Sequence, residues 1–181
     1  TQWCEASDMA RVVVLTYRMP SSLMALGVGA SLGVAGAIMQ TILRNPLASP
    51  YTLGISAGAG FGAALTIVAG IGISAGMGRW LVPFNAFLFA ILSSFLIYII
   101  GAAKKLTPGA MILGGIGLSF MFGALQSMLQ YAASAEQNQS IVFWLFGSLS
   151  RAETSTAVAM LMLVAAAFPV LVANAWKFTA L

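Results

Sequence analysis

Five stretches of this chain are apolar and long enough to cross a lipid bilayer, and every charged residue lies at or beyond their ends. They cover residues 22–43, 52–73, 80–103, 107–133 and 154–176. A membrane helix needs about 20 mostly apolar residues. In hydrocarbon each backbone N–H and C=O must be paired within its own segment, so such stretches form helices. The expected fold class is all-α, a polytopic transmembrane helix bundle. The stretch 52–73 is the mildest of the five, because Gly and Ala fill it. Of 181 residues, 60% are hydrophobic and 7% charged, against roughly a quarter charged in a soluble domain. No linker or shift in composition divides the chain, so residues 1–181 read as one transmembrane domain.

Proline and charge mark the breaks. Residues 44–50 read Arg-Asn-Pro-Leu-Ala-Ser-Pro; each proline removes a backbone donor and restricts the residue before it. Lys104, Lys105 and Pro108 separate the third and fourth stretches. Pro83 falls in a first helical turn, where proline is tolerated. Pro169 falls inside the last helix, where a kink is expected. Five crossings place Arg44, Lys104, Lys105 and Lys177 on one side, with no acid. Glu5, Asp8, Arg11, Arg18, Arg79, Glu136, Arg151 and Glu153 fall on the other. Lys and Arg number four on each side. Basic residues unrelieved by acids favour the cytoplasmic face, which puts residues 44–50, 104–107 and 177–181 inside and residues 1–20 outside.

Small residues suggest how the helices pack. Ala25, Gly29, Gly33 and Ala37 recur every fourth residue, as do Gly54, Gly58 and Gly62, and again Gly115, Ser119, Gly123 and Ser127. Each set lies on one helix face, where small residues let backbones approach closely. Few polar groups are expected to be buried: Gln40, Asn85, Gln126 and Gln130. An ion-coupled carrier usually places an ionisable residue at mid-membrane, and none of the charged residues lies near a predicted helix centre. A neutral-lined path driven from outside the membrane fits better.

No catalytic constellation is expected. The chain has no His and one cysteine, Cys4, which excludes a Ser–His or Cys–His pair within it and leaves no Cys/His metal spacing. The Gly-rich run at 58–62 lacks a P-loop lysine and lies in a predicted membrane helix. The only adjacent basic pair, Lys104–Lys105, makes no nucleic-acid footprint. No metal, cofactor or nucleic acid is expected to bind this chain.

Specific strings carry the reading further. Arg18-Met19-Pro20 precedes a helix with Gly29, Gly33, Gly36 and Gln40. Then follow Asn45-Pro46-Leu47-Ala48-Ser49-Pro50 and Leu53-Gly54-Ile55-Ser56-Ala57-Gly58-Ala59. Leu113-Gly114-Gly115-Ile116 and Trp144-Leu145-Phe146-Gly147-Ser148-Leu149 come later. In this order the strings resemble the FecCD family of permeases, the transmembrane subunits of ABC importers for iron–siderophore complexes, haem and vitamin B12. Family members usually have ten membrane helices. The resemblance therefore implies a fragment covering helices two to six, with a first helix before Thr1 and ATPase-coupling helices beyond Leu181.

The resemblance implies a permease in a bacterial or archaeal cytoplasmic (inner) membrane. It implies translocation of an iron chelate by ATP-driven alternating access, with haem, cobalamin or a non-transporting structural role as alternatives. Implied partners are separate ABC ATPase subunits, a periplasmic or lipoprotein substrate-binding protein, a second permease copy as homodimer or pseudo-dimer, and membrane lipid. Arg18 matches an outer arginine that meets glutamates of the binding protein; a second family arginine is replaced by Ser21, with Arg11 the nearest substitute. Asn45 and Leu47 match an inner gate, and Thr107 and Pro108 fall at the other gate loop. Residues 134–150 match an outer segment holding a short helix that narrows the path, so Trp144 and Phe146 are candidates for lining it or for anchoring at the interface.

Overall fold

The computed structural model describes residues 8–70, 78, 80–150 and 152–174, and all regular structure among them is helical. Six helices follow in order: α1 (Asp8–Leu43), α2 (Ile55–Ala69), α3 (Leu81–Ala103), α4 (Pro108–Ala132), α5 (Ala135–Phe146) and α6 (Thr154–Ala173). Helices α1, α3, α4 and α6 are long and apolar enough to cross a membrane. Helix α2 has 15 described residues, about 22 Å at 1.5 Å per residue. Cys4, Arg79, Arg151 and Lys177, together with the expected ends at residues 73 and 176, lie outside the described residues.

The first helix begins well before residue 22. The expected start at residue 22 is too late, because Val13–Arg18 forms a π-turn in which Met19 N–H bonds Val14 O. This i→i−5 register, immediately before a proline that lacks N–H, lets the helix run through Pro20. Residues 8–21 are therefore helical rather than an outer arm. Pro169 lies inside α6, as the sequence places it.

The chain divides into two compact units, one of residues 1–37 with 147–181 and one of residues 38–146. In the first, Gly27 meets α6 closely: a Cβ there would stand 3.1 Å from Met160 Cγ. The Ser21 hydroxyl bonds Tyr17 O and Leu149 O. Helix α6 starts on a reciprocal cap between Glu153 and Thr156.

In the second unit α2, α3 and α4 pack mutually, and α5 packs on α2 and α4. Its core is Leu43, Ala48, Leu53, Ile97, Leu118 and Phe122. Three rings lock the helices together: Phe61 and Phe89 meet edge to face at 5.2 Å, and Phe122 lies 5.8 Å from Phe61. Glycine sets the spacing. A Cβ at Gly62 would stand 2.9 Å from Asn85 O, and one at Gly115 would stand 2.7 Å from Leu53 Cα. Asn85, buried, donates to Gly62 O and to Thr66 Oγ1 at 3.0 and 2.7 Å.

The three regular small-residue sets do not behave as three uniform faces. Gly58 and Gly62 approach α3, whereas Gly54 precedes α2 with φ 74° and approaches Gly115 and Ser119 of α4. Among the described residues nothing lies within 4 Å of a Cβ at Gly29, Gly33 or Gly123. Among the described residues, then, Gly29 and Gly33 face no packing neighbour. Their spacing fixes a helix face but not what meets it.

Candidate functional site

Two turns lie at one end of the second unit, because Leu53 and Gly54 approach Gly115 while Gly101 approaches Met111. The first turn holds Asn45 and Leu47. Asn45 Oδ1 accepts Leu47 N–H at 2.9 Å, and Asn45 O accepts Ala48 N–H at 3.1 Å. This Asx-turn is what asparagine before a proline favours. Ser49 and Thr52 then close a second turn, Ser49 N–H donating to Thr52 Oγ1 at 2.9 Å and Thr52 Oγ1 donating to Ser49 O at 2.9 Å. Ala48 and Leu53 plug into the core at 3% and 5% exposure, while Leu47 between them is 79% exposed. The turn is pinned by its neighbours and presents Leu47 outward. Asn45 Oδ1 serves the turn itself. The second turn, ending in Thr107 and Pro108, has Lys105 and Leu106 at positive φ, and both Thr107 and Pro108 are exposed.

Within the same unit, a cavity of about 610 Å³ is lined by Tyr51, Ser56, Ser119, Gln126, Trp144 and Leu145, with Ala57, Ala59 and Gly123 as its small walls. Helix α5 folds back to make the far wall. A Cβ at Gly60 would stand 2.9 Å from Gln126 Oε1 and 3.0 Å from Leu145 Cδ2. Gly60, in the middle of α2, therefore admits both α4 and α5. The lining carries hydroxyls, one carboxamide and two aromatic faces, and no ionisable group except the Tyr51 phenol. Such a surface offers hydrogen bonds and ring contact to a bulky solute without fixing its charge.

Of the two aromatic candidates, Trp144 lines the cavity, while Phe146 is 84% exposed and is not among its lining residues. The sequence singles out Ser119, in a small-residue set, and Gln126, as a polar group inside a helix, whereas Tyr51 and Ser56 escape sequence reasoning, because the four meet only once α5 has turned back onto α2. The start of α5 was readable: Ser134 and Gln137 stand three apart as a capping box. Ser134 N–H donates to Gln137 Oε1 at 2.9 Å, and Gln137 N–H to Ser134 Oγ at 3.3 Å.

Arg18 ends the π-turn and is exposed. Beside it in sequence, Thr16 and Tyr17 share a groove of about 450 Å³ with Ser150, Glu153 and Thr154. The Ser21 hydroxyl is committed to two backbone carbonyls.

The sequence pattern of the FecCD transport family matches residues 2–181. The chain is 42% identical over 152 residues to a protein of Methanocaldococcus jannaschii named as an ABC transporter permease, covering 80% of this chain and 44% of that one. It is 37% identical over 141 residues to the iron(3+)-hydroxamate import system permease protein FhuG of Bacillus subtilis, covering 76% and 42%. A solved structure described as an inward-facing conformation of a metal-chelate type ABC transporter matches with a TM-score of 0.82 at 30% identity, over 95% of this chain and 53% of that one. The chain thus spans about half the length, or less, of the proteins it matches.

Proposed function

Because this chain belongs to the FecCD transport family, as the match over residues 2–181 establishes, we propose that it is part of the permease subunit of a binding-protein-dependent ABC importer for an iron chelate. The observation that carries this reading is the cavity between α2, α4 and α5. It is large, its only ionisable lining group is a phenol, and it lies in a bundle similar to that of a solved transporter of metal-chelate type.

In this reading the solute passes the Tyr51–Gln126–Trp144 surface by alternating access, the rocking of packed helix groups about a path. Hydroxyls and the Gln126 carboxamide exchange hydrogen bonds with the ligand shell of the chelate, and the rings of Tyr51 and Trp144 pass along its apolar flanks. The turn presenting Leu47 forms an inner gate with its copy in a second permease subunit. Arg18 docks a carboxylate of a substrate-binding protein, the pairing for which guanidinium is suited. ATP is hydrolysed by separate subunits, and the whole lies in a cytoplasmic membrane.

The test is ATP-dependent uptake into proteoliposomes by the full-length parent protein with its ATPase and binding protein. Uptake of ferric chelates is expected. Uptake of haem or cobalamin alone reassigns the substrate, and uptake of none of the three overturns the transport reading.

A further inference from the structure

The second unit has a short helix whose first turn is tied down at both neighbours and whose last turn walls the cavity. Gln137, in the first turn of α5, is half-buried. Its Nε2 lies 3.3 Å from Ile67 O and 3.3 Å from Val68 O, both in the last turn of α2. Its Oε1 accepts Ser134 N–H. The last carbonyls of a helix lack intrahelical partners. In α2, Thr66 O takes Gly70 N–H, and Gln137 supplies donors to the next two. One carboxamide thus closes the start of α5 and the end of α2 together. Asn138 completes the grip by donating to Gln130 O of α4 at 2.8 Å.

We propose that Gln137 is a positioning residue that clasps α5 to the end of α2 and so sets where the Trp144–Leu145 wall of the cavity stands. Trp144 and Leu145 follow it by two helical turns, about 11 Å along one rigid rod. Among the described residues the other end of α5 has no such tie: Gly147 follows at φ 69° with nothing within 4 Å of a Cβ there, and Phe146 is exposed. A rod fixed at one end transmits any change in the clasp to its far end. Only a side chain that both accepts and donates can make this clasp, which selects glutamine over glutamate or methionine. The functional meaning of the wall rests on the transport reading above; the clasp itself does not.

The test is amide hydrogen exchange of the full-length protein in lipid nanodiscs, comparing peptides of α5 and α3. Gln137→Met removes donors and acceptor at similar length. Gln137→Glu keeps the acceptor for Ser134 N–H, loses the donors and sets a negative charge against carbonyls. Ser134→Ala keeps the donors to α2. Loss of the two bonds to α2, joined in Gln137→Met by loss of the bond from Ser134 N–H, should raise exchange along α5 about tenfold in both Gln137 variants, with α3 unchanged, while Ser134→Ala loosens only the first turn of α5 that its hydroxyl caps. In Gln137→Glu, protonation restores a donor, so its excess exchange over wild type should shrink as pH falls through the ordinary carboxyl range near about 4.3. The titratable groups nearby are Glu136 on α5 and Tyr131 on α4, with none at residues 67–70 of α2; wild type at each pH corrects for both. Wild-type exchange in α5 in both Gln137 variants overturns the proposal and leaves α5 held by its buried Ile141 alone. Equal loosening of α3 also overturns it, since the effect is then on the whole bundle. Loosened α5 with unchanged uptake upholds the clasp and sinks the cavity as the path.

Discussion

Ser93 of α3 occupies the space that a side chain at Gly58 of α2 would need. A Cβ at residue 58 would collide with Ser93 Oγ and stand 3.0 Å from Phe89 O. Ser93 is fully buried, and among the described residues its Oγ has no hydrogen-bond partner. The hydroxyl is therefore a spacer filling a glycine notch. Gly58→Ala should destabilise the bundle by about 1–3 kcal/mol, the range for overpacking a tight interface. Ser93→Ala should be neutral or mildly stabilising, since no bond is lost with the hydroxyl. The double variant should recover part of the Gly58→Ala loss, a coupling that a double-mutant cycle of thermal or denaturant unfolding in detergent measures. Strict additivity would show that the two residues do not share this space.

Much of this unit was legible in the sequence. Charge-free stretches gave α3, α4 and α6 within a few residues, because hydrocarbon leaves the backbone no alternative to helix. Spacing alone could not tell that Gly58 meets a neighbouring helix while Gly29, among the described residues, does not, since that depends on which helix lies opposite. The start of α1 was missed because Asp8, Arg11 and Arg18 interrupt the charge-free run by which the membrane stretches are placed. The cavity was missed because its lining comes from three helices, one of them folded back. The Asn45–Pro50 turn was readable as a turn, and Trp144 as a residue of interest, but not what faces each.

Asn85 ties α3 to α2 through Gly62 O and Thr66 Oγ1. Buried polar contacts between membrane helices are each worth about 0.6 kcal/mol on average and under 2 at most. Asn85→Leu should therefore cost about 1 kcal/mol of unfolding free energy, and Thr66→Val about as much, because it removes both the acceptor for Asn85 and the hydroxyl's own bond to Gly62 O. A loss above about 3 kcal/mol would show that steric clash, not the lost bonds, governs the site.

Glu136 gives the start of α5 a dependence on pH. The Ser134 hydroxyl, 2.7 Å from Glu136 Oε2, holds the carboxyl below its usual range. A depressed folded pKa means that the bond contributes fully above the ordinary carboxyl range near about 4.3 and is lost as pH falls through the lower folded value. Exchange in the first turn of α5 should rise on acidification within that window, and Glu136→Gln should remove the rise. A titrating Glu136 whose replacement leaves the acid response intact assigns that response elsewhere.

Arg18 follows from the docking role proposed for it. Arg18→Glu in the full-length transporter should weaken the complex with the binding protein, with a larger deficit at low ionic strength, because salt screens exposed charge pairs beyond about 8–10 Å. Surface plasmon resonance at two salt concentrations reads this directly. A deficit that is equal at both concentrations points to lost packing at the adjoining Thr16–Tyr17 groove.

Leu47 supplies the sharpest test of the gate. Its neighbours Ala48 and Leu53 are buried and its turn is closed by Asn45 Oδ1, so Leu47 can change size without disturbing the bundle. If two copies of Leu47 seal the path by apolar contact, Leu47→Ala should raise ATP-independent leakage of substrate from loaded proteoliposomes, while Leu47→Trp should slow ATP-driven uptake. Asn45→Ala should act through the turn: losing the side-chain acceptor for Leu47 N–H costs about 1 kcal/mol locally, freeing Leu47 to move and raising leakage less than Leu47→Ala does. A cysteine at position 47, in a protein with Cys4 replaced, should cross-link to its symmetry mate in the resting state and release on ATP binding. Wild-type leakage in Leu47→Ala together with no cross-link at any stage would reduce residues 45–50 to a turn, and the search for the gate would move to Thr107 and Pro108.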